Sequence, residues 1–208
     1  DRHAAERARE EIARRGSARG IPNHQLLMLY GDEPPALLPG DVKVPPPQRR
    51  KTPHDRRTRI GYLSSDLQTH ATAILIAGLF ETHDRERFEV FGYSYGPRAA
   101  DPYRDRMQES LEHWCDLNDL DDMAAAGRIA TDRLDFLIEL KGHTQGTRLG
   151  ITVRRPAPVQ IHYLGYPGPI GGYGIDYFLA DWDTVPVHGD AEFPETVLRL
   201  PRCYQVND

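Results

Sequence analysis

"RIGYLSSDLQTHATAILIAGLF", residues 59–80, reads as a buried strand that stops abruptly and restarts as an apolar helix. The strand-like part is "RIGYLS" (59–64) and the helix-like part fills 72–82, so the reversal falls on "SSDLQTHAT" (64–72). The same alternation continues to the end of the chain. Further strands are expected at 88–95 "FEVFGYSY", 134–140 "LDFLIEL", 159–164 "VQIHYL", 175–180 "IDYFLA" and 197–200 "VLRL". Helices are expected at 101–113, 121–132 and roughly 146–153. Mostly apolar strands separated by helices imply a parallel sheet covered on both faces. The fold class read from the sequence is therefore α/β, a Rossmann-like, doubly wound, mostly parallel sheet over 58–208, with no internal repeat.

Residues 1–57 differ in character. Ala, Arg and Glu dominate 1–15 and suggest an exposed or half-exposed helix, which "RRGSARGIPNHQ" ends with glycines and a proline. A short apolar stretch, "LLMLY" (26–30), is followed by the proline-dense 33–57, which lacks periodicity and reads as an extended linker or arm. The chain begins without Met and ends on "YQVND", and is read as a piece of something longer.

Bulk composition excludes several classes. Of 208 residues 27% are charged and 39% hydrophobic, the balance of a soluble globular chain. A net charge of −5 argues against a nucleic-acid backbone as main partner, and the basic cluster "QRRKTPHDRR" (48–57) reads as solvated linker. Two cysteines, Cys115 and Cys203, without metal-ligand spacing, argue against a disulfide scaffold or zinc site and fit a reducing, cytoplasmic setting. No apolar run is long enough to cross a membrane and the charged N-terminus is no signal peptide.

In open α/β sheets ligands bind outside the carboxyl ends of the strands, where helices begin with free N–H groups. Three seams qualify: "SSDLQTHAT" (64–72), "KGHTQGTR" (141–148) and "LGYPGPIGGYG" (164–174). With parallel strands all three open on one edge. His70 falls at the start of the helix after the first seam, where extra positive charge is disfavoured, so a neutral ring is expected there. A neutral ring can accept a proton or bind a sugar hydroxyl, and Asp66 could orient it. The alternative is that Asp66 and Thr69 only cap the helix. His143 lies in a loop on the same edge, and His162 reads as a packed or surface strand residue. The third seam is not G-x-G-x-x-G and lacks the acidic partner of a dinucleotide site, so no NAD or other cofactor is expected. P-loop, H-E-x-x-H and G-x-S-x-G patterns are absent too.

Taken in order, "RIGYLSSDLQTHAT", "GHTQGTR", "RRPAPVQIHYLGYPG", "IDYFLAD" and "LPRCYQVND" resemble the O-GlcNAc transferase family, in its tetratricopeptide-associated, bacterial or SPINDLY-like form. The resemblance covers about 59–208 and implies the N-terminal catalytic lobe of a GT-B glycosyltransferase. Such enzymes move a sugar from a nucleotide donor to Ser or Thr hydroxyls of proteins without a metal ion. The resemblance implies UDP-GlcNAc as donor, a protein or peptide acceptor, and a second lobe of the same parent chain carrying most nucleotide contacts and a catalytic lysine. By motif it carries Asp66 and His70 to the catalytic site, with His24 of "PNHQLLMLY" as a further base candidate in a shifted register. Thr72 matches a threonine just after that pair, Leu164, Gly165 and Pro167 match the stretch lining the donor sugar, and Thr72, Tyr166 and His143 are counted with them as substrate-binding. The chain departs from the family at Ala71, Gln145 and the Pro169–Ile170 pair, which leaves both sugar and acceptor open. GDP-fucose as donor, a non-catalytic peptide-binding module, and the lobe of another glycosyltransferase are the alternatives.

Overall fold

The stretch at 59–80 forms strand β1 (Thr58–Ser64) and helix α1 (Ala71–Thr82) in the structure, a computed structural model that describes residues 56–207. The helix expected at 1–15, "LLMLY", nearly all of the expected 33–57 arm and His24 lie outside the described residues. Beyond α1 the chain alternates as β2 (Phe88–Ser94), α2 (Pro102–Ser110), β3 (His113–Asp116), α3 (Asp122–Thr131), β4 (Phe136–Glu139) and a single-turn α4 (Gly150–Val153). Then come β5 (Val159–His162), β6 (Tyr177–Ala180), a 3₁₀ segment (Val187–Glu192) and β7 (Thr196–Arg199). All seven strands are parallel, in the order β3-β2-β1-β4-β5-β6-β7.

Strand alternation divides the core into two layers. Leu63, Phe91, Tyr93 and Leu137 point to one face, where Ala125, Ala126 and Ile129 of α3 and Ile151 of α4 cover them. Tyr62 and Val90 point to the other, under Ala73, Ile76, Ala77 and Phe80 of α1 and Met107 of α2. This is the doubly wound α/β sheet expected from the sequence. Helix starts are set locally: Asp101 accepts a hydrogen bond from the Arg104 N–H at 2.9 Å to cap α2, and Asp121 caps α3 through the Ala124 N–H at 2.7 Å.

One strand differs from expectation. The sequence reads 101–113 as a single helix, but α2 ends at Ser110 and "HWCD" pairs with β2 as the edge strand β3. No glycine or proline marks the stop, and "HWCD", polar at both ends, is not the apolar run that marks the other strands. Leu111 closes the helix by donating its N–H to the Met107 carbonyl and burying its side chain, so packing ends this helix.

The C-terminal segment folds back onto the sheet. Asp181, just after β6, accepts the Tyr204 N–H at 2.8 Å, while Tyr163 donates its hydroxyl to the Tyr204 carbonyl at 2.6 Å. The Thr184 hydroxyl, then the backbone N–H groups of Thr184, Tyr204 and Asp183, hold the Asp181 carboxyl down at about 2. A lowered carboxyl stabilises the fold above its ordinary value of 3.8 and loses that contribution as pH falls through about 2. Amide exchange at Tyr204 should therefore stay slow from neutral pH down to the ordinary value and quicken below it. In Asp181→Asn it should be fast at every pH. Equal protection in the two proteins would mean that this carboxylate does not hold the segment.

Candidate functional site

Strand order reverses beside β1: the chain steps outward to β2 and β3, then returns to place β4 on the other side of β1. The loops leaving the carboxyl ends of β1 and β4 therefore diverge and open a crevice, the usual ligand position in such sheets. The first two seams read from the sequence meet here. The third joins them, because β5 lies next to β4 and its loop returns across the Leu140–Lys141 backbone.

At the centre, Asp66 and Lys141 form a buried ion pair, with the ammonium nitrogen 2.8 and 2.9 Å from the two carboxylate oxygens. Ser65 donates its hydroxyl to the same carboxylate at 2.8 Å, and Ser64 accepts the Asp66 N–H at 2.9 Å. Sequence reasoning missed Lys141. A lysine one residue past a buried strand reads as an exposed charge, and only the strand order brings it to face Asp66 across the crevice.

His70 caps α1 itself. Its extended backbone (φ −154, ψ 155) leaves the helix, and Nδ1 accepts the Thr72 N–H at 3.2 Å. The capping alternative weighed on the sequence assigned that role to Asp66 or Thr69. Instead Thr69 donates its backbone N–H to Asp101, which ties the first seam to the start of α2. Because a backbone N–H can only donate, Nδ1 must carry the lone pair, and a neutral His70 ring then bears its hydrogen on Nε2. The nearest Asp66 oxygen is 3.7 Å from Nδ1, beyond hydrogen-bond range. The ring is 46% exposed at the mouth of the crevice, whereas Thr72 is buried behind it.

Under these groups lies a buried polar layer. Glu139, the last residue of β4, accepts the N–H groups of Lys141 and Gly142, each at 2.8 Å. His162 fits between the Glu139 carboxylate (Nδ1, 2.8 Å) and the Tyr166 carbonyl (Nε2, 2.8 Å). Both ring nitrogens thus face acceptors, and one proton lies between Nδ1 and the carboxylate. His162, read as a bland strand histidine, ties the loop after β5 to the loop after β4. Gly142 (φ +60) makes the turn after Lys141, and a side chain there would strike the Tyr166 Cβ at 2.5 Å.

The "LGYPG" loop rests on this layer. Leu164 has φ +73 and the Gly165 N–H is donated to the Tyr163 carbonyl at 2.9 Å, a tight three-residue turn that a leucine adopts only under strain. Leu164 and Gly165 are half-buried at the edge of the crevice and Pro167 is exposed. The Tyr166 ring, however, is buried with Leu149, Val153, Ile170 and Tyr173, and burial raises its hydroxyl to about 12. His143 is 1% exposed and its Nε2–H is donated to the Ile170 carbonyl at 2.7 Å. Burial pushes its pKa down, so it stays neutral. Of the candidates read from the sequence, the fold brings Asp66, His70, Leu164 and Gly165 to one crevice, with Pro167 at its rim. It places the side chains of Thr72, His143 and Tyr166 behind that surface. Among the described residues no group of three or more His, Cys, Asp or Glu side chains comes together as a metal site.

Comparison with known proteins gives the family of the chain. Residues 44–208 match the model of the family described as Glycosyl transferase family 41. A probable UDP-N-acetylglucosamine–peptide N-acetylglucosaminyltransferase SEC of Arabidopsis thaliana is 38% identical over 153 residues, 74% of this chain and 16% of that protein. A Caenorhabditis elegans UDP-N-acetylglucosamine–peptide N-acetylglucosaminyltransferase is 36% identical over 154 residues, 74% of this chain and 13% of its own length. Among solved structures, a mutant of the Thermobaculum terrenum O-GlcNAc transferase superposes with a TM-score of 0.71 at 34% identity. That match covers 77% of this chain and 31% of the other. The chain thus spans a small part of each relative.

Proposed function

We infer, from the premise that this chain belongs to glycosyl transferase family 41, that it forms the acceptor-side lobe of a protein O-glycosyltransferase. The reading assigns it transfer of GlcNAc from UDP-GlcNAc to Ser or Thr hydroxyls, with inversion and without a metal ion, in the cytoplasm. The observation that carries it is the convergence of the Asp66–Lys141 pair, the exposed His70 ring and the "LGYPG" loop on the crevice where the strand order reverses.

In an inverting transfer the acceptor oxygen attacks the anomeric carbon from the face opposite the diphosphate. The bond from that carbon to the diphosphate oxygen breaks, its electron pair leaves with the phosphate, and the acceptor hydroxyl gives up its proton to that phosphate or to solvent. This lobe supplies orientation and a polar wall: His70 offers an N–H at the crevice mouth, and Leu164 and Gly165 offer backbone for close approach. Stabilisation of the departing diphosphate falls to a second lobe, so the 208-residue chain by itself is expected to be inactive.

The departures from the family pattern fall unevenly in space. Pro169 and Ile170 are buried, and Ile170 packs with Tyr166 and Leu149 inside the loop's own core. Ala71, the first residue of α1, and Gln145, in the loop after β4, are exposed. What favours GlcNAc over fucose is the activity for which the two relatives are named, both as UDP-N-acetylglucosamine–peptide N-acetylglucosaminyltransferases.

The test follows nucleotide release by the full-length parent protein with UDP-GlcNAc, UDP-glucose and GDP-fucose, with and without a mixed Ser/Thr peptide pool. Peptide-stimulated release from UDP-GlcNAc is the expected result, with none from the 208-residue chain alone. Release from GDP-fucose only would reassign the donor. No release from any donor, with peptide still bound, would make the lobe an interaction module.

A further inference from the structure

We propose that Lys141 is a positioning residue of the transfer site: by holding Asp66 as a carboxylate turned away from the imidazole, it fixes His70 as a hydrogen-bond donor through Nε2. This rests on the glycosyltransferase reading and assigns a residue to that same crevice.

The chain places Lys141 with care at both ends. Its N–H and that of Gly142 are gripped by Glu139, itself held by His162, so the backbone at 141 cannot drift. Its side chain, 6% exposed, spans from β4 to the loop after β1 and meets both Asp66 oxygens. The result is a continuous polar chain across the carboxyl ends of three neighbouring strands: His162 on β5, Glu139 and Lys141 at the end of β4, and Asp66 after β1. Only the last link, from Asp66 to His70, is open, at 3.7 Å.

That open link decides what His70 does. An unengaged Asp66 carboxylate so near the ring would draw an N–H from Nδ1 and leave the lone pair on Nε2, the arrangement that orients a general base. With both oxygens on the ammonium, Nδ1 instead takes the Thr72 N–H and the crevice is offered a donor. A buried ion pair adds little net stability against an apolar replacement, whereas breaking one half leaves an uncompensated charge. Retention of this pair at the strand-order reversal is thus better explained by the orientation it enforces than by stability.

The experiment uses the full-length protein with UDP-GlcNAc and an accepted peptide, comparing Lys141→Met, Lys141→Arg, Lys141→Ala and the double variant Asp66→Asn with Lys141→Met. Lys141→Met should lower kcat about 100-fold, with the KM for donor and peptide changed less than about threefold, because the loss is one of orientation. Lys141→Arg should keep kcat within about tenfold of wild type. Ethylammonium, but not ethanol, should restore turnover to Lys141→Ala. The double variant removes the carboxylate that would draw the Nδ1 hydrogen together with the ammonium, so it should regain thermal stability and much of the turnover lost in Lys141→Met. Undiminished kcat in Lys141→Met would overturn the proposal. So would a double variant that regains stability but stays as slow as Lys141→Met, since the loss would then not run through a freed Asp66 carboxylate. Absence of transfer by the wild type with every donor is a different failure: it defeats the glycosyltransferase reading, and this proposal with it.

Discussion

Gly165→Ala should leave the full-length protein without measurable transfer and lower the melting temperature of the lobe. A methyl group at 165 would stand 1.8 Å from the Leu140 carbonyl oxygen, 2.8 Å from its carbon and 3.1 Å from the Lys141 Cα. These are backbone atoms at the end of a central strand, not the far end of a flexible side chain. Leu140 is held by donation of its N–H to the Leu63 carbonyl at 3.0 Å, so it cannot retreat without disturbing β1. The loop must lift instead, which pulls the Tyr166 carbonyl from His162 and opens the tight turn at Leu164. Overpacking of this kind costs roughly 3 kcal/mol. In a domain of this size that corresponds to a fall of roughly 6–12 °C in melting temperature. The catalytic loss should exceed what stability explains, because the displaced atoms adjoin Lys141. Gly172→Ala is the control. Gly172 also has a left-handed backbone (φ +72), but no atom lies within 4 Å of the added methyl. It should cost about 1 kcal/mol and leave turnover near wild type. Similar behaviour of the two variants would mean that contact between the β5 loop and the end of β4 does not shape the site.

The sheet was legible because each central strand is an apolar run bounded by polar or glycine-containing seams, a pattern that survives in one dimension. β3 was not, because "HWCD" is polar at both ends rather than an apolar run and the helix before it ends by packing rather than by a glycine. The site was legible only where chemistry and local sequence coincide. Asp66 and His70 share one short loop, so their types and spacing could be read together. Lys141 lies 75 positions beyond Asp66 and meets it only through the placement of β4 beside β1. His162 and Glu139 look like ordinary strand-end residues until the parallel register sets them opposite each other. In "LGYPG" the motif marked a loop that returns over the end of β4. It could not reveal that the Tyr166 ring turns into the core while Pro167 stays at the rim, because that depends on a strained backbone at Leu164.

At His70 an observed cap and a proposed donor share one ring, and two amide substitutions should separate them. His70→Ala removes both the cap on α1 and the donor at the crevice. It should lower turnover of the full-length protein by about 100- to 1000-fold, the usual loss when one donor to a developing charge is deleted. The cap should cost a further ~1 kcal/mol of stability. His70→Asn puts an oxygen where Nδ1 accepts the Thr72 N–H, so stability should return, but its short amide cannot reach the position of Nε2. Turnover should stay low. His70→Gln extends an N–H toward the Nε2 position while capping poorly, so the opposite is expected: reduced stability with turnover recovered to within about tenfold of wild type. The pair discriminates because an amide donates a hydrogen bond but does not take up a proton at neutral pH. If His70 removes the acceptor's proton, Gln must be as inactive as Ala, and the donor assignment fails. Recovery in Gln alone would show that the ring stabilises an oxygen in the crevice and that the hydroxyl's proton leaves by another route.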